Sequence, residues 1–161
     1  MKPVNFTTTL DFPFHLGKTV EENSALLDDF FLNEKNFGTD LEGFLTLTGT
    51  DGEEVTWKIV SIVEDGKCVT ARVDFDNDNV TFLDVPIGPD NSLDVAETAA
   101  ALQSTGHRVI AQTYDLVLPE HFITIEPRSS ICYWDRTYWT PEEFFKETVQ
   151  PQWHADLQDQ R

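Results

Sequence analysis

Residues 43–85 read GFLTLTGTDGEEVTWKIVSIVEDGKCVTARVDFDNDNVTFLDV. Gly43 to Thr48 predicts a strand with Leu45 and Leu47 on one face. Asp51-Gly52 is a hairpin signal, because both residue types tolerate positive φ. Val55, Trp57 and Ile59 then alternate, and Val60, Ile62 and Val63 make the end of that run apolar on both faces. A strand buried on both sides sits centrally, and a helix is expected to cover it. Asp65-Gly66 signals a second hairpin, and Val69, Ala71, Val73 and Phe75 alternate on the return. A fourth strand, Val80 to Val85, is expected to end at Pro86. Turns between alternating runs specify an antiparallel β-meander over about residues 43–85.

Outside this stretch the chain reads as a mixture of helices and strands. Phe6 to Phe14, with Thr7, Thr8 and Thr9, predicts a first strand that Pro13 ends or places at an edge. Thr19-Val20-Glu21-Glu22 has the spacing of a capping box. Leu26, Leu27, Phe30 and Phe31 follow at helical spacing, with Gly38 as the stop. An Ala-rich helix is expected from Leu93 to Ser104, capped by Ser92 and stopped by Gly106. Arg108 to Leu118 reads as one strand, and Phe122 to Glu126 and Ile131 to Trp134 as shorter ones. Thr140-Pro141-Glu142-Glu143 opens a helix with a Thr cap and Pro at its first position; Phe144, Phe145 and Val149 give it an apolar face and Pro151 ends it. The expectation is an α+β fold over residues 1–161 as a single domain. The meander is extended by C-terminal strands and packed against two or three helices.

The 161 residues are 40% hydrophobic and 12% aromatic, a globular composition. The charge is unusual: 29 acidic residues against 11 basic ones, a formal net charge of -18. Such a chain repels nucleic acid and anionic membranes and attracts basic proteins or cations. Solubility or adaptation to high salt would produce the same excess. Nineteen of the acids lie within residues 19–97, where the only bases are Lys35, Lys58, Lys67 and Arg72. In a meander, alternate turns share one end of the sheet. Asp51, Glu53, Glu54, Asp74, Asp76 and Asp78 are therefore expected to gather there as an acidic, partner-binding patch. Polar turns alone account for several of them.

Short motifs of chemistry are absent. Asp74-Phe75-Asp76-Asn77-Asp78-Asn79 resembles the start of an EF-hand calcium loop, but Asn79 replaces the required Gly and Val85 the bidentate Glu. His15, His107, His121 and His154 form no ligand pair, so no metal or cofactor is expected. Cys68 and Cys132 sit in apolar runs and read as buried free thiols of a reducing compartment. Ser129 and Ser130 lack a nucleophile-elbow context. With no apolar leader or membrane-length segment, a cytoplasmic location is expected.

Cys132-Tyr133-Trp134-Asp135-Arg136-Thr137-Tyr138-Trp139 is rich in the residue types of binding hot spots. Tyr133, Trp134, Tyr138 and Trp139 are expected either to anchor a partner or to pack beneath the last helix. By analogy of type, small acidic α+β proteins without catalytic motifs include toxin-immunity proteins and anti-defence inhibitors. The expected function is non-enzymatic: an inhibitor that covers the basic nucleic-acid-binding surface of a partner such as a nuclease, without touching nucleic acid itself. The alternatives are a self-associating assembly protein and a small-molecule enzyme with no short motif.

Overall fold

The computed structural model describes residues 4–48, 52–76, 78–88 and 94–149. In chain order the elements are β1 (Val4–Phe6), α1 (Val20–Ser24), β2 (Asp28–Lys35), β3 (Gly38–Thr48), β4 (Glu54–Glu64), β5 (Lys67–Cys68), β6 (Thr70–Asp74), β7 (Val80–Phe82), β8 (Val85–Pro86), α2 (Val95–Ser104), β9 (Ile110–Ala111), β10 (Leu116–Leu118), β11 (Ile123–Glu126), β12 (Ser130–Trp134) and α3 (Pro141–Thr148). The fold is α+β and mostly antiparallel sheet.

The large sheet runs in the order β2-β3-β4-β6-β12-β11-β10-β9, with the short β5 also on β4. Its longest ladder is β3–β4, in register from Thr39↔Val63 to Thr48↔Glu54. Asp65 and Gly66, at φ 52° and 74°, turn the chain back as their sequence requires. Leu41, Leu45, Trp57, Ile59, Ala71, Val73, Ile131 and Tyr133 then point to one face and form the core.

Several expectations are corrected. Residues 80–85 do not add a fourth strand to the meander. Leu83 and Asp84 adopt φ 48° and 67°, a tight turn that splits the run into β7 and β8. With β1 they form a separate three-stranded sheet in which β7 lies between β1 and β8. No glycine marks that turn; Asn5 holds it, its Oδ1 accepting from the Asp84 N–H and the Thr81 hydroxyl. The place beside β6 is taken by β12.

The expected helix through Leu26, Leu27, Phe30 and Phe31 is a strand. α1 is only five residues long, with Thr19 accepting from the Glu22 N–H, and β2 follows. A bulge between Asp28 and Phe31, with Asp29 at φ 50°, reconciles the helical spacing with an extended chain. Gly38 begins β3 rather than stopping a helix. The first strand is only Val4–Phe6; beyond it Phe12 and Phe14 are core residues in a loop. Residues 108–118 form two strands, closed by the Gln112 N–H donating to the Asp115 carbonyl. α2 starts after Asp94, which forms a reciprocal capping box with Glu97; the expected cap Ser92 and start Leu93 lie outside the described residues, as does Pro151. α3 has the expected Thr140–Glu143 capping box, but Phe145 is exposed and Phe144 alone is fully buried.

Asn23 ties the N-terminal loop to the sheet. It is fully buried; its Oδ1 accepts from the His15 N–H and its Nδ2 donates to the His15 carbonyl, both at 2.8 Å. Asn23→Ala strands two backbone groups and is expected to cost about 1–3 kcal/mol in urea unfolding. A loss below about 0.5 kcal/mol, the range of ordinary surface changes, contradicts this role.

Candidate partner-binding surfaces

The described acids of the two expected turns lie at one end of the large sheet, although the segment after β6 leads to the separate small sheet and not back into the meander. Glu53, Glu54, Asp76 and Asp78 are exposed there, and Asp51 lies outside the described residues. Asp74 and Asp78 are engaged within the fold. Asp74 pairs with Arg72 (Nε–Oδ1 2.9 Å), and Asp78 Oδ2 accepts from Trp57 Nε1 at 2.6 Å. The Asp78 bond holds this carboxylate on the buried Trp57. Among the described residues no group of three or more His, Cys, Asp or Glu is placed to hold a metal ion.

The aromatic run divides between the core and the surface. Tyr133 is 3% exposed and its hydroxyl donates to the Thr7 carbonyl at 2.7 Å. Burial, with Asp11 nearby, pushes its phenol well above the usual range. Tyr133 is therefore not a surface anchor, because strand alternation turns it inward beside Ile131. Trp134 faces the other way, packed edge-on against Trp139 and Phe144 with its Nε1 bonded to Thr124. Trp139 Nε1 donates to the Val69 carbonyl. Of the four, Tyr138 is the exposed one.

The second face of the sheet differs from expectation. α3 covers only its far end, where Phe144 stacks on Phe122 beside Val117. Over the rest, Val60, Ile62, Arg72, Cys132 and Trp134 line an open trough of about 370 Å³, with Asp40, Asp115 and Glu126 also on its walls. A charged lattice crosses this face: Lys35–Asp40 at 2.7 Å and Lys58–Glu42 at 3.0 Å. The Asn33 amide and then Lys58 hold Glu42 below the usual carboxylate range. Burial pushes the Cys132 thiol up to about 12, which disfavours its thiolate at neutral pH.

A second acidic region lies at the opposite end of the sheet. Glu21, Glu34 and Asp65 border a groove of about 430 Å³ whose apolar lining is Val20, Leu32 and Val63. Tyr138 lies close by; desolvation, and after it Glu64, Asp65 and Glu143, raise its phenol. Beside the groove runs β2, exposed at seven of its eight positions, with Phe30 and Phe31 each at 52%, Leu32 at 48% and nearby Phe37 at 88%. Sequence reasoning missed this surface because it assigned Phe30 and Phe31, with Leu26 and Leu27, to the apolar face of a helix. The available signal was the adjacent pair Phe30-Phe31, which puts apolar side chains on both faces of a strand.

Comparison with protein-family models, curated proteins and solved structures yields no match.

The raised thiol of Cys132 sets a pH dependence. An unfolded thiol ionises near about 8.5, whereas the folded one stays neutral until about 12. Its contribution is complete below the unfolded value and is lost as pH rises between the two. Cys132→Ala is therefore expected to flatten the fall in stability from pH 8.5 upward, read by urea unfolding across pH 8 to 11. Parallel curves for the two proteins contradict the assignment.

Proposed function

We propose that the protein is a non-enzymatic acidic binding protein. Its partner is a basic protein whose nucleic-acid-binding surface it covers, in the manner of immunity or anti-defence inhibitors. One observation carries the reading: exposed carboxylates gather at both ends of the large sheet, Glu53, Glu54 and Asp76 at one and Glu21, Glu34 and Asp65 at the other. On a chain of net charge -18, such clusters set up a field that steers a cationic surface toward them. The same field repels phosphate backbones, so nucleic acid is not the direct ligand.

Glu54 and Asp76, more than Asp74 and Asp78, carry the electrostatic role. Arg72 compensates Asp74 and Trp57 engages Asp78. A second reading, self-association, draws on the exposed Phe30, Phe31 and Leu32. Like charge on every copy opposes it.

Affinity capture from host lysate at low and high salt tests the reading. A basic nucleic-acid-processing protein retained at low salt and released at high salt is the expected outcome. With that partner in hand, the triple variant Glu53→Gln/Glu54→Gln/Asp76→Asn is expected to associate about tenfold more slowly, with a flatter salt dependence. An unchanged association rate contradicts the electrostatic role of those turns.

A further inference from the structure

We propose that the free edge of β2, with the acidic groove beside it, receives an extended basic segment of the partner as an added strand. The inference rests on the reading of the protein as a binder of basic proteins, and it assigns the contact surface.

Among the described residues the outer edge of β2 pairs with no strand. Its bulge guards only the Asp28–Phe30 end. From Phe31 to Lys35 the strand is regular, in register with Glu42 through Gly38 of β3. That leaves a row of backbone donors and acceptors beside apolar side chains, a template for another strand.

The pattern of side chains selects the occupant. Phe31 pairs with Glu42 and Asn33 with Asp40, placing them on the trough face; Leu32 and Glu34 pair with Leu41 and Thr39 on the core face. The groove continues that second face. Leu32, Val63 and Val20 line it, and Glu21, Glu34 and Asp65 border it with no Lys or Arg among its residues. An added strand places alternate side chains there. A lysine or arginine fits both halves, its aliphatic stem on the apolar lining and its cation among the carboxylates. The one base in β2, Lys35, is already held by Asp40 at 2.7 Å. The other charges of the strand, Asp28, Asp29 and Glu34, are acidic. A second copy would bring the same carboxylates and another net charge of -18 to this edge. A basic segment with alternating apolar residues brings the complement.

The test uses the full chain and two blocked synthetic octapeptides, alternating Lys-Val and alternating Glu-Val, with residue-resolved amide hydrogen exchange. Lys-Val is expected to slow exchange within Asp28–Lys35 by at least about tenfold, and Glu-Val to leave it unchanged. The charge-reversed variant Glu21→Lys/Glu34→Lys is expected to weaken Lys-Val binding by about tenfold or more. Both positions are exposed, so unchanged exchange in β3 and β4 verifies that the variant is folded. Protection confined to the acidic end of the sheet, at Glu53, Glu54 and Asp76, instead of β2 overturns the edge assignment while leaving the basic-partner reading intact. So does absence of β2 protection alongside continued salt-dependent capture of a basic protein. Protection of β2 that appears without peptide and grows with protein concentration overturns the proposal in favour of a second copy.

Discussion

The ladder between β3 and β4 is the constraint from which the rest of the fold follows. Its fixed register sends Leu41, Leu45, Trp57 and Ile59 to one face and Glu42, Phe44, Lys58 and Val60 to the other. A slip of one residue would exchange the two sets, so burial of the first enforces the pairing. The small sheet, the N-terminal loop and α2 close over the apolar face. Phe6 meets Phe12 edge-on and lies against Trp57, while Phe82, Ile87 and Leu102 complete the packing. The other face stays largely open, with Lys35–Asp40 and Lys58–Glu42 paired along its strands.

Local chemistry that needs only neighbouring residues was legible in the sequence. Asp65-Gly66 turns, Thr19 and Thr140 start helices, and Val69, Ala71, Val73 and Phe75 are buried. Features that depend on distant partners were not. The Leu83-Asp84 turn is made possible by Asn5, far away in the chain. β6 pairs with β12, which follows it after more than fifty residues and carries no sign of that choice. The apolar pairs around Asp28-Asp29 fit a helical face and a bulged edge strand equally well, because two turns of periodicity cannot separate them. In the candidate surface the acidic turns were readable from turn chemistry. The groove was not, since Val20, Leu32 and Val63 come from three separate elements.

The molecule combines two features that normally oppose each other. An apolar edge strand invites pairing with any exposed strand, and natural sheets restrain it with bulges and charge. Here one bulge and three carboxylates on β2 guard the edge against copies of the same chain. Those carboxylates do not guard it against a cationic strand. In the proposed reading, charge acts as a filter on an otherwise permissive surface, repelling like chains and phosphate and admitting basic segments.

That filter is tested most directly by sedimentation velocity of the isolated protein, from micromolar to several hundred micromolar, at low salt. The account predicts a single species of one chain's mass across the range, because mutual repulsion keeps the exposed edges apart. A dimer that forms at low salt in proportion to concentration, and is lost when Phe31 and Leu32 are replaced by lysine, would contradict it.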